Sequence, residues 1–415
     1  MAPRNFSPSQ KEALDLILST AVSTKSTPAL FFGLTTAEGP IYMHQEGHKL
    51  VDDPASDAID EDTVFWLCSQ TKLITTIAAL QLIEQEKITL DTPVETVLPE
   101  LANPVVVIDH DGAGRPRTTV PAKAKIMLGQ LLNHSSGLDY WIDRVAAEDD
   151  LSPPYTHSYK DEDASMFFKI LQGSLSGVPL KFEPGTDFGY GSSTDCAGFV
   201  VERLSGKSLE QYFQDHIFAP LGITSASFYL TPALKDRLLP LSYRAKSGVL
   251  ERWDKPSVID QDPANVRVHL GGVGLYASQK DYLTILRHLL QISAGSAVKP
   301  ILSRASVDSM FRPTLTPAGT RTLGALVNVF NPYLNFPTGS AQFSCGLNVN
   351  TADLPGKRRA GSGGWGGWAN TSFSVDPTAG VAVVFGTQLL PPGDKTYERV
   401  YADLENAVYA ALQAK

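Results

Sequence analysis

Strand-like segments lie only towards the two ends of this 415-residue chain, and helical patterns dominate the long middle. Two apolar, β-rich runs at 29–34 and 40–44 are separated by Glu38-Gly39, a spacing that suits a hairpin. From about Gly339 the pattern returns, at 343–349, 370–375 and 380–386, with the turn Asp376-Pro377-Thr378-Ala379-Gly380 joining the last two. The economical assembly is one antiparallel sheet built from both ends of the chain, with a helical lobe inserted between them. Helices are expected to flank that sheet. One opens the chain behind a cap at Ser7 or Ser9, with Ala13, Leu14, Ile17, Leu18 and Val22 at helical spacing. The other covers 397–412, with Val400, Leu404, Val408 and Leu412 on one face. The middle predicts helices at 73–84, 165–172, 195–204 and 280–290, broken at Ser152-Pro153-Pro154, Glu183-Pro184-Gly185 and Gly271-Gly272. The expected fold class is therefore mixed α/β, of α+β type. Residues 1–68 and 320–415 form the sheet region and residues 69–319 the helical lobe. A ligand cleft is expected where the two meet.

Composition removes several function classes. Hydrophobic residues at 43% and charged residues at 19% give an ordinary globular balance and argue against a disordered chain. The net charge of −9 comes without a basic stripe, so nucleic acid is not an expected partner. The patch Lys357-Arg358-Arg359 follows Pro355-Gly356 and reads as a solvated turn. The opening run Met1-Ala2-Pro3-Arg4-Asn5-Phe6-Ser7-Pro8 has no apolar core of a secretion signal, and no stretch approaches a membrane span. Three widely spaced cysteines, Cys68, Cys196 and Cys345, argue against a disulfide framework. A cytoplasmic protein without membrane partners is expected.

Three segments carry chemistry. In Cys68-Ser69-Gln70-Thr71-Lys72 a serine stands three residues before a lysine at a helix start, so both side chains share a face. Burial beside Leu67 and Leu73 is expected to lower the lysine pKa towards proton acceptance. The serine's own backbone N–H would lie among the unpaired donors of the helix start, half of an oxyanion hole. Ser-x-x-Lys alone is weak, because Ser296-Ala297-Val298-Lys299 also fits and its flanking Gly295 and Pro300 read as a loop. The second segment, Phe188-Gly189-Tyr190-Gly191-Ser192, puts a tyrosine in a glycine-bounded turn, where glycines relax the backbone and a nearby ammonium would favour a phenolate base. The third, Gly361-Ser362-Gly363-Gly364-Trp365-Gly366-Gly367-Trp368, would let substrate lie against a sheet edge.

Together with Leu131-Leu132-Asn133-His134-Ser135-Ser136-Gly137-Leu138 and Ala219-Pro220-Leu221-Gly222-Ile223, these segments resemble the serine β-lactamase and penicillin-binding superfamily. They are most similar to class C β-lactamases, family VIII carboxylesterases and fungal lovastatin-type acyltransferases. The resemblance implies a single catalytic unit of β-lactamase/transpeptidase-like fold. It also implies nucleophile Ser69, base pair Lys72 and Tyr190, and oxyanion donors at the backbone N–H groups of Ser69 and Trp368. Two departures point away from β-lactams. Trp365-Gly366-Gly367 stands where β-lactamases carry Lys-Thr-Gly, and Tyr190-Gly191-Ser192 replaces Tyr-x-Asn. Drug hydrolysis should accordingly be weak.

Other constellations carry less. His44-Gln45-Glu46-Gly47-His48 is not the helical pair a zinc site needs, so no metal is expected. His134 suggests a Ser-His-Asp triad, but no G-x-S-x-G elbow exists, and the resemblance makes it a turn-stabilising residue. Asp109-His110-Asp111-Gly112 reads as an exposed turn. The expectation is a cofactor-free serine esterase acting on small-molecule esters or acyl thioesters. The alternatives are an acyltransferase, with an acyl-carrier protein as added partner, and a non-catalytic binding or sensor protein. Substrate is expected to touch Ser192, Trp365, Gly366, Gly367, Tyr140 and Trp141.

Overall fold

The computed structural model describes residues 6–143, 151–254, 259–260 and 262–413; most of the opening run read for a secretion signal lies outside them. Helix α1 (Pro8–Ser23) starts where Ser7 Oγ accepts from the Gln10 N–H while the Gln10 side chain accepts from the Ser7 N–H. That reciprocal box satisfies two donors that the first turn would otherwise leave unpaired.

The chain then lays down β1 (Leu30–Thr35) and β2 (Pro40–Glu46). Five further strands come from the C-terminal third: β3 (Ala341–Phe343), β4 (Asn348–Asn350), β5 (Gly363–Gly367), β6 (Thr371–Asp376) and β7 (Val381–Gly386). They join in one antiparallel sheet of order β3-β4-β5-β6-β7-β1-β2. β1 closes against β7 with Phe31 opposite Gly386 and Leu34 opposite Val383. Every residue of β1, β6 and β7 is buried, because both faces of the sheet are covered. Leu30, Phe32 and Leu34 pack with Leu14 and Leu18 of α1 and with Tyr401 and Leu404 of the C-terminal helix Lys395–Gln413. The opposite face meets the helical lobe.

At the centre of that lobe is α2 (Thr71–Glu84), buried at every position from Thr71 to Leu82. A helix apolar all round needs neighbours all round. They include α3 (Ser193–Ser205), while α4 (Gln279–Ala294) packs on β7 and β1 and joins the same core. The helices expected at 165–172 and 195–204 are found as Ala164–Gln172 and α3.

Three local expectations change. The single strand read at 343–349 is two, β3 and β4, because Gly346 adopts φ 78° and Ser344 N–H closes a turn onto the Leu347 carbonyl. Asp109 and His110 end a strand, Val105–His110, paired with Pro116–Pro121, and the turn begins only at Asp111. The basic patch is solvated only at Arg359, which pairs with exposed Asp353, while Lys357 is 6% and Arg358 4% exposed. Arg358 Nε and Nη2 donate to Glu405 at 2.8 and 3.1 Å, and that pairing with a fully buried carboxylate takes the guanidinium inside.

Candidate active site

The residue before the expected nucleophile has an unusual backbone. Cys68 adopts φ 46°, in the left-handed region that side chains other than glycine avoid. A short 3-10 turn, Cys68–Gln70, follows and leads into α2. Ser69 thus sits in the turn that leads into the lobe's central helix, and Lys72 follows one turn on. Both are buried, and Lys72 Nζ donates to Ser69 Oγ at 3.1 Å. The decoy behaves differently, since Ser296 lies exposed beyond the end of α4.

The other two Lys72 bonds go to the Gly272 carbonyl at 2.8 Å and the Tyr140 hydroxyl at 3.3 Å. An ammonium has three donors and no acceptor, and here all three find oxygen. Burial opposes this charge, but Tyr140, Tyr190 and Asp195 outweigh it and hold Lys72 above the usual lysine range. This corrects the expected lowering. The sequence showed the apolar neighbours Leu67 and Leu73, but not the carboxylate of Asp195.

Tyr190 faces Lys72, whose Nζ lies 4.9 Å from the phenol ring centroid. Its hydroxyl accepts from Trp365 Nε1 at 2.8 Å. The flanking glycines provide clearance rather than unusual dihedrals: a Cβ on Gly191 would stand 2.3 Å from the Leu138 carbonyl oxygen. His134 packs beneath, its ring 4.9 Å from that of Tyr190. Burial and then the Lys72 charge hold its pKa well below the usual histidine value, so it is neutral. It supports the Tyr190 ring.

The Gly-Trp run is not a sheet edge throughout. Gly363 and Gly364 pair with β4, whereas Trp365, Gly366 and Gly367 pair only with β6. The chain therefore has an open half-strand inside a seven-stranded sheet. Trp368 directly follows this half-strand, and both it and Ser69 line one cavity. That cavity, of about 620 Å³, is lined by Ser69, Tyr140, Trp141, Tyr190, Trp365, Gly366, Gly367 and Trp368. Its far wall is made by Val327, Phe330 and Phe336, with Glu398 at its margin.

Ser192 is the exception among the expected contacts. It is 3% exposed at the N-cap of α3 and is absent from the cavity wall. His44 and His48 also diverge: His44 bonds to Asp15 and Glu46, and His48 to the Ser56 carbonyl. Sequence reading missed Tyr155 and Asp195, which lie behind Lys72; an isolated acid in the first turn of a helix reads as a dipole partner.

The family described as Beta-lactamase matches residues 14–407. Monacolin J acid methylbutanoyltransferase of Aspergillus terreus is 32% identical over 361 residues, covering 85% of this chain and 83% of that protein. Lovastatin esterase of Penicillium rubens is 30% identical over 391 residues, covering 92% and 94%. The solved structure of simvastatin synthase (LovD) from Aspergillus terreus superposes with a TM-score of 0.81 at 28% identity, covering 98% of this chain and 99% of that one.

Proposed function

The chain belongs to the beta-lactamase family, and from that premise we propose that Ser69 is its nucleophile, cleaving carboxylic esters through an acyl-enzyme. The enzyme class is serine esterase or acyltransferase, the two activities named among its relatives. The observation that carries the reading is the 3.1 Å contact between Lys72 Nζ and Ser69 Oγ on the wall of the cavity.

Lys72 is already protonated, so the proton leaving Ser69 goes elsewhere. The Tyr190 oxygen is its acceptor, since Lys72 Nζ lies 4.9 Å from the phenol ring centroid and Trp365 Nε1 donates to that oxygen at 2.8 Å. Ser69 Oγ then bonds the acyl carbon, and the oxyanion faces the N–H groups of Ser69 and Trp368. Collapse expels the alkoxide or thiolate, which takes the proton back from Tyr190. Water, deprotonated by the same oxygen, attacks the acyl-enzyme and frees Ser69.

Acyl transfer is the second reading, favoured by a cavity of about 620 Å³, which has room for a bulky alcohol beside an acyl chain. The donor would then be an acyl thioester, free or on an acyl-carrier protein. The substrates are small molecules, as in the relatives' names. Among the described residues no helix is long and apolar enough to cross a membrane. The three unpaired cysteines, all buried, support a reducing, cytoplasmic setting.

The test is turnover of p-nitrophenyl esters together with mass analysis after a serine-directed phosphonate. Product release and an adduct on Ser69, both lost in Ser69→Ala, are expected. Undiminished turnover in that variant would overturn the assignment. Added alcohols that accelerate thioester consumption and appear acylated would select transfer over hydrolysis.

A further inference from the structure

The mechanism above leaves a fully buried carboxylate without a task. Asp195, 0% exposed, sits in the first turn of α3, five residues beyond Tyr190. Its Oδ1 accepts from the Gly272 N–H at 2.7 Å, and its Oδ2 accepts from the Tyr155 hydroxyl at 2.6 Å. Both partners lead back to Lys72. The Gly272 carbonyl receives Lys72 Nζ at 2.8 Å. The Tyr155 hydroxyl lies 3.3 Å from that of Tyr140, which in turn receives Lys72 Nζ at 3.3 Å.

We infer that Asp195 is a positioning residue of the active site, a buried counter-ion that aims the Lys72 ammonium at Ser69 through the Gly272 peptide and the Tyr155–Tyr140 pair. The inference rests on the proposed Ser69 chemistry.

The local geometry is built for this carboxylate. A Cβ at position 272 would lie 2.5 Å from Asp195 Oδ2 and 2.9 Å from its Cγ, so only glycine admits the acid against that peptide. The glycines of the Gly271-Gly272 break thus have a specific use. A buried acid without hydrogen bonds would be costly, and here each oxygen receives one. A carboxylate in this place adds to Tyr140 and Tyr190 in favouring the charged lysine, while burial pushes the Asp195 carboxyl itself up and the Lys72 charge opposes that.

The titratable groups around the pair are few. Those bearing on Asp195 are Lys72 from α2, Tyr155 from the short helix Pro153–Thr156, and nearby Tyr140, Tyr159 and Cys196. Those bearing on Lys72 are Tyr140, Tyr190, Asp195, Cys68 and His134. Lys72 is the cation of this set, so removing the Asp195 charge has a defined consequence. The ammonium loses its counter-ion and gives up its proton at lower pH.

The experiment compares wild type, Asp195→Asn and Tyr155→Phe by ester turnover against pH and by NMR titration of Lys72 in protein carrying labelled lysine. Asp195→Asn is expected to cut kcat/KM by about 100-fold near neutral pH. It should also move the alkaline limb of the profile, and the Lys72 titration, down by about one unit or more. Tyr155→Phe should move both in the same direction by less. If the Lys72 titration stays put in Asp195→Asn, Asp195 is merely structural and the inference falls. If Asp195→Asn does not fold, an unmoved titration in Tyr155→Phe overturns it equally. Failure of the Ser69 assignment shows separately, as a Ser69→Ala variant that still turns over ester.

Discussion

Trp365 Nε1 reaches across the cavity to the Tyr190 hydroxyl at 2.8 Å, joining the open half-strand of the sheet to the turn that precedes α3. The indole therefore holds the base as well as walling the cavity. Trp365→Phe keeps the ring contact, 5.0 Å between centroids, and loses the donor. Because a hydrogen bond contributes about 0.5–1.5 kcal/mol net, kcat should fall by up to about 10-fold. Thermal unfolding should move little, and steady-state kinetics with a p-nitrophenyl ester checks the split.

Gly367 bears on the oxyanion donors. A Cβ there would lie 2.5 Å from Thr371 Oγ1 and 2.6 Å from the Leu67 carbonyl oxygen, so β5 must shift and carry Trp368 with it. Gly367→Ala is expected to lower kcat by about 100-fold, the scale of losing one oxyanion donor. Phosphonate labelling of Ser69 should slow in parallel. Wild-type labelling rates in this variant would exclude the Trp368 N–H from the hole.

Arg358 and Glu405 form a two-bond ion pair with 4% and 0% exposure. Removing one partner strands the other charge in the core. Arg358→Met should cost about 3–5 kcal/mol in urea unfolding, and Arg358→Met with Glu405→Leu should recover much of it. Equal losses in the single and double variants would show that the pair is not coupled.

Glu398 gives stability a pH dependence. Burial pushes its carboxyl up to about 8 from the usual 4.5. The folded state thus keeps a proton that the unfolded chain gives up. The associated stability is fully present below about pH 4.5 and is lost as pH rises to about 8. Glu398→Gln should flatten this part of the curve, gaining on wild type above pH 8. Urea midpoints at pH 5, 7 and 9 for both proteins test it, and parallel curves would refute it.

Much of the architecture was legible because apolar runs at 29–34 and 380–386 leave little choice but a shared sheet. Ser69 and Lys72 were legible because their spacing is local to one helix turn. Features that depend on distant partners were not. Nothing near Arg358 announces Glu405, 47 positions later, so the patch read as solvated. Lys72 read as a depressed lysine because Tyr140, Tyr190 and Asp195 are 68, 118 and 123 positions away, and only the fold brings them together. The turn inside 343–349 was hidden because apolar residues flank Gly346 on both of the short strands.

The seam between β1 and β7 bears on the order in which a working site can arise. Strand 30–35 pairs locally with β2, but its other edge is filled only when residues 381–386 are available, and Ser69 meets Trp368 only after about three hundred intervening residues are in place. During synthesis the helix of the proposed nucleophile leaves the ribosome long before the strand that would complete the proposed oxyanion hole. A nascent or C-terminally clipped chain therefore carries the serine without the means to acylate it. Reactivity is withheld until the chain has closed on itself, and proteolysis near residue 360 should silence the enzyme while leaving Ser69 and Lys72 intact.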